Sequence, residues 1–207
     1  MLSYGQTDID SLFSGMVGYA SQVIREDSTG IFYIQDHDTS KINFYSHKSK
    51  AIRIYDKEHH LLVEGKITDR VCSQLVLKGS KWVSYYPNGR TKTIGFYYRN
   101  QPVGLWKVYY SNGQLMKSYT YKIYKFRKNI EICKAGLYEE YYETGQQKTI
   151  GTYKPAFHAK SILLTVDSLE NYSLPYYPMT NQRPIPVGTW KFFKSNGEHE
   201  TSESYKE

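Results

Sequence analysis

Cysteine is nearly missing from this 207-residue chain: only Cys72 and Cys133 occur, and their spacing fits no zinc or redox motif. A disulfide-stapled scaffold is thereby excluded. Two buried or half-buried thiols are expected, the alternative being one bridge between neighbouring units in an oxidising compartment. Long apolar runs are missing too. None approaches the ~18 residues of a membrane-spanning helix, and the mean hydropathy is −0.62. No recognisable signal peptide opens the chain. Its MLSYGQ start also fits the remnant of a trimmed one, so the expected location is cytoplasmic, or secreted and envelope-bound in that second case.

Motifs that carry chemistry are absent as well. There is no Gly-x-Ser-x-Gly, no Gly-Lys-Ser/Thr phosphate loop and no His-Glu-x-x-His. His59 and His60 are neighbours on an expected strand and so point to opposite faces. Asp36-His37-Asp38 resembles a ligand cluster, but the same alternation turns His37 away from both carboxylates, so a turn is expected there. The chain reads as non-enzymatic, with no catalytic residue, no metal site and no cofactor.

Acid is the last scarcity. From residue 66 to residue 135, fourteen Lys and Arg face only Asp69 and Glu131, a surplus of twelve within a chain of net charge +7. Such a field suits an anionic partner. A solvated lysine face that keeps a flat sheet from stacking is the other reading.

What the chain has in quantity is tyrosine, 22 residues, and these recur in register. The stretches KWVSYYPNGRT, GLWKVYYSNGQL, GLYEEYYETGQQ and GTWKFFKSNGEH align on Trp82, Trp106, Tyr138 and Trp190. Seven residues after each anchor stands Gly89, Gly113, Gly145 or Gly197; three after it stands Tyr85, Tyr109, Tyr141 or Phe193. Thirteen after the first three lie Gly95, Tyr119 and Gly151, and fifteen after them Tyr97, Tyr121 and Tyr153. A fainter copy anchors on Ile52, with Gly65 in the matching slot. The anchors lie 30, 24, 32 and 52 residues apart, a 24-residue unit with inserts.

Each unit alternates like a strand, turns at Ser-Asn-Gly and returns, so it is predicted to be a β-hairpin. A lone hairpin is marginal in water, and stacking buries the aromatics of one against the next. The predicted fold is therefore all-β: stacked antiparallel hairpins in an elongated single-layer sheet, the repeated aromatics forming its core. Residues 1–50 are read as an N-terminal cap, 51–200 as the repeats with inserts at 122–135 and 155–185, and 201–207 as a tail.

Within the cap, residues 7–26 place Ile9, Leu12, Phe13, Met16, Ala20, Val23 and Ile24 at helical spacing, which predicts a short helix. Residues 31–47 read as two strands around a turn. The insert 121–136 reads as a lengthened hairpin, and SILLTV in the second insert as a strand. The candidate binding surface is a basic, tyrosine-lined face comprising Lys107, Lys117, Lys122, Lys125, Arg127 and Lys128. Tyr176 and Tyr177, set between prolines on the second insert, lie alongside.

The pattern Gly-x-Trp-x-x-Tyr-Tyr-x-Asn-Gly resembles the MORN-repeat superfamily, and more closely the variant repeats of bacterial YwqK-type antitoxin proteins. The resemblance covers about half the chain, residues 52–154 and 186–200. Tyr138 and Thr144 depart from the pattern's Trp and Asn, and Ser80 stands where later units carry Gly104, Gly136 and Gly188. It implies an elongated, non-enzymatic sheet that binds something: a partner toxin in the YwqK group, a membrane or protein in the superfamily at large. A protein partner is thus expected, with anionic lipid or glycan as the alternative and nucleic acid the least supported.

Overall fold

The computed structural model describes residues 23–27, 30–35, 38–44, 51–55, 60–71, 74–77, 80–98, 101–126, 129–155, 162–164 and 184–206, with side chains at 53, 60–66, 81–97, 102–124, 132–155 and 184–206. The strands are Val23–Asp27 (β1), Gly30–Gln35 (β2), Asp38–Phe44 (β3), Ala51–Tyr55 (β4), Leu61–Val71 (β5), Gln74–Leu77 (β6), Ser80–Tyr85 (β7) and Thr91–Tyr98 (β8). They continue as Gln101–Tyr109 (β9), Leu115–Phe126 (β10), Asn129–Tyr141 (β11), Gln147–Lys154 (β12), Ile162–Leu164 (β13), Ile185–Phe193 (β14) and His199–Tyr205 (β15). Hydrogen-bonded neighbours follow chain order from β1 to β15, with β6 set beside β5 and β13 beside β10. Every pairing is antiparallel. The protein is an open sheet of successive hairpins, as its repeats predict.

Register confirms the repeat frame, faint copy included. Each anchor pairs with the residue thirteen later: Ile52 with Gly65, Trp82 with Gly95, Trp106 with Tyr119, Tyr138 with Gly151 and Trp190 with Glu203. The turn of each strong copy is closed by two backbone bonds, as in Gly113 N–H to Tyr110 O (2.9 Å) and Tyr110 N–H to Gln114 O (2.8 Å). The turn glycine holds φ between 78° and 94° in all four strong copies, a left-handed conformation that side chains strain.

The N-terminal segment departs from its helical spacing. Val23–Asp27 is a strand paired with β2, so the helix predicted over 7–26 does not reach its last residues; 7–22 lie outside the described residues. Val23 and Ile24 are β-branched, and a neighbouring strand edge decides their conformation over a weak helical pattern interrupted by two glycines. No helix occurs among the described residues. The insert 121–136 is the lengthened hairpin expected of it, formed by β10 and β11, and Ile162–Leu164 of SILLTV is a short strand against β10.

One face of the sheet is the core. Trp82 is 1% exposed, Trp106 3% and Trp190 6%, and the rings meet edge to face: Trp82–Tyr97 at 6.2 Å, Tyr97–Trp106 at 5.1 Å and Tyr153–Trp190 at 4.8 Å. Each such pair adds ~0.5–1.5 kcal/mol beyond burial itself.

The tryptophan needs a floor. A Cβ added at Gly65 would fall inside the ring of Trp82, one at Gly95 inside Trp106, and one at Gly151 inside Trp190. The glycine thirteen after one anchor is therefore the seat for the next unit's Trp. Where that seat is Tyr119, the next anchor is the smaller Tyr138, beside it in the register.

A second device links the hairpins near their turns. The second tyrosine of each Tyr-Tyr pair donates its hydroxyl to the main chain of the following unit: Tyr86 to Tyr109 O (2.8 Å), Tyr110 to Tyr141 O (2.9 Å) and Tyr142 to Phe193 O (2.8 Å). The turn asparagines do likewise, Asn88 to Ser111 O (3.1 Å) and Asn112 to Glu143 O (3.0 Å). All these bonds run one way, from each repeat to its successor.

Candidate functional site: the outward face of the sheet

Residues paired across a sheet point the same way, and alternate residues point opposite ways. The side chains directly after each anchor therefore form the face turned away from the tryptophans. An unbroken cross-strand row runs there: Arg53, Glu64, Val83, Ile94, Lys107, Ser118, Glu139, Ile150, Lys191 and Ser202. Beside it toward the turns runs a second row containing Tyr85, Tyr109, Tyr141 and Phe193, all half-buried. On the other flank Phe96, Leu105 and Leu137 are 43%, 47% and 52% exposed. The two aromatics of each Tyr-Tyr pair thus part company: one braces the next hairpin, the other paves this outward face.

Charge on the face is unequal in its freedom. Both oxygens of Glu64 are held, one by the Tyr85 hydroxyl at 2.5 Å and the other by Arg53 Nε at 3.0 Å. The tyrosine bond, the largest effect, outweighs the opposing effect of burial, and Arg53 adds to it, so the Glu64 carboxyl lies below its usual range. Burial first, then that same bond, push the Tyr85 phenol up to about 12. Glu139 is held the same way five strands further along the sheet, by Ser118 Oγ at 2.9 Å and the Tyr141 hydroxyl at 3.2 Å. Burial, followed by the charge of Glu139, raises the Tyr141 phenol too. Among the described residues, Lys107, Lys122 and Lys191 make no ion pair.

The residues picked out by sequence divide accordingly. Lys107 lies in the outward row, and Lys122, alternating with Tyr121, projects from that same side. Lys117 stands on the tryptophan side, paired with Val108 and Glu140. The backbone of Lys125 lies in β10. Arg127, Lys128, Tyr176 and Tyr177 lie outside the described residues, as does Cys72, while Cys133 is a buried free thiol. Spacing alone did not single out Phe96, Leu105 and Leu137, or the two tethered glutamates. The available signal was position: Leu105 and Leu137 each directly precede an anchor.

This architecture defines a class: a β-hairpin repeat protein with one face spent on its own core and the other left open. The repeats themselves are of a known kind. Residues 102–122 and 134–154 match the MORN repeat variant family, each segment running from four residues before its anchor to sixteen after. The chain thus carries MORN-type repeats, and the same frame falls on residues 78–98 and 186–206 around Trp82 and Trp190. No curated protein matches the chain significantly.

Proposed function

We propose that this is a non-enzymatic binding or scaffold protein, of the antitoxin or immunity kind, that holds a partner protein against the outward face of its repeat sheet. One observation carries the reading: Phe96, Leu105 and Leu137 stay exposed beside half-buried tyrosines while the tryptophans are all turned inward. An apolar strip rimmed by lysine and tyrosine has the composition of a protein interface. The basic segment with Lys125, Arg127 and Lys128, and the tyrosines Tyr176 and Tyr177, belong to this proposal as flanking contacts. Mechanism is occlusion by area and charge.

The test is capture from nuclease-treated lysate and envelope fractions at moderate salt, with Leu105→Ser/Leu137→Ser as the paired bait. One stoichiometric protein, held by the wild type and lost by the variant, is expected; its toxicity when expressed alone then decides the immunity role. Recovery of lipid or glycan alone, released as salt rises, overturns the reading in favour of envelope docking.

A further inference from the structure

We propose that the partner face is specific for an acidic protein surface bearing aromatic or aliphatic side chains, its carboxylates reaching Lys107, Lys122 and Lys191. This rests on the reading above and names the chemistry of the partner. Charge complementarity is the argument. The outward face holds seven cationic and two anionic side chains among those described: Arg53, Lys66, Lys81, Lys107, Lys122, Lys154 and Lys191 against Glu64 and Glu139. Both anions have their oxygens occupied from within the sheet, Glu64 by Tyr85 and Arg53, Glu139 by Ser118 and Tyr141. A carboxylate so tied has little capacity left to accept from a partner. Lys107, Lys122 and Lys191 donate to nothing among the described residues of the sheet, so they are the groups left to be satisfied from outside.

Position adds the apolar half. Lys107 lies between the tyrosine row and the strip of Phe96 and Leu105, and one repeat occupies two strands, ~9.6 Å of sheet. An incoming carboxylate at Lys107 is therefore flanked by apolar contact on both sides, where partial desolvation strengthens the pairing. A second copy of the chain is a poor occupant, since its free lysines would meet these. An anionic membrane would satisfy the lysines and leave the tethered carboxylates, five strands apart, in its headgroup layer.

Defined polymers test this without knowing the partner. The purified chain is titrated with a glutamate–tyrosine copolymer, polyglutamate, a lysine–tyrosine copolymer, heparin, and vesicles of phosphatidylcholine with phosphatidylserine. The glutamate–tyrosine copolymer is expected to bind tightest and to resist salt that releases polyglutamate. Lys107→Glu/Lys191→Glu should weaken it by about tenfold or more, and Leu105→Ser/Leu137→Ser should weaken the copolymer while sparing polyglutamate. Circular dichroism checks that each variant keeps its sheet. Equal binding of the lysine–tyrosine copolymer, stronger binding of heparin or vesicles, or indifference to charge reversal overturns the proposal. The same variants separate the two readings once a partner is captured. Loss with the serine pair alone keeps the face and removes the acidic partner; loss with neither removes both.

Discussion

At the scale of single residues, the fold turns on a size match between a glycine and the tryptophan above it. Gly95 is buried with the Trp106 ring lying where its Cβ would be, and Trp106 is itself almost fully enclosed. Gly95→Ala should therefore cost ~1–3 kcal/mol by overpacking, read as a lower melting temperature. The Tyr119–Tyr138 join makes the rule testable in reverse. Tyr138→Trp alone meets the Tyr119 ring and Tyr119→Gly alone leaves a void, whereas together they recreate the glycine-and-tryptophan pair. A coupling of ~0.5–3 kcal/mol in the double-mutant cycle is expected; additive losses would mean that the seat is not what fixes the anchor. Glu64 gives a pH signature. Its carboxyl titrates below the ordinary range in the folded protein, so its stabilisation is present above the unfolded value and lost as pH falls through the folded one. Glu64→Gln should lower stability at neutral pH and flatten the acid limb of a stability-versus-pH curve between those values, the two curves converging below the folded one.

At the scale of the hairpin, the links between successive repeats are few and countable. The third turn has Thr144 where the first two have Asn88 and Asn112, and only those asparagines donate to the following turn. Thr144→Asn should add the missing donor facing the last hairpin and stabilise the protein by ~0.5–1.5 kcal/mol, seen as a rise in melting temperature. A drop would show that threonine is there for another reason. The hairpins were legible because their demands are local: alternation, Asn-Gly and a fixed anchor spacing act within one unit. The tyrosine-to-carbonyl bonds and the glycine seats were not, since each joins residues of different units. Gly95 and Gly151 stood out by position, yet only the neighbouring strand shows what lies over them. The start of β1 was misread for the same reason, because Val23 and Ile24 take their conformation from β2. Of the candidate face, the lysines could be read as a cluster. Their side of the sheet, and the tying of Glu64 and Glu139, depend on register across several hairpins.

At the scale of the whole molecule, an open sheet must do something about its edges, since an unpaired strand is a template for another chain. The directional bonds make the two ends of the array different. In the last hairpin Lys194 stands where earlier units have the bridging tyrosine, and Glu203 stands where earlier units seat the next tryptophan. Both substitutions remove what a further repeat would need, and both place charge on the border. The strand β15 is exposed along nearly its whole length, with Glu200 and Glu203 among its side chains and the Tyr205 hydroxyl bound back to Glu203. A strand so charged, continuing a sheet of buried rings, reads as a guarded edge. The edge should therefore become adhesive once its charge is gone. Glu200→Val/Glu203→Val is expected to give concentration-dependent association by sedimentation velocity, whereas Glu200→Lys/Glu203→Lys should behave as wild type, because charge of either sign guards an edge. If the valine variant sediments unchanged at every concentration, the carboxylates are not what closes the sheet, and the end of the array must be protected by its twist or by other parts of the chain.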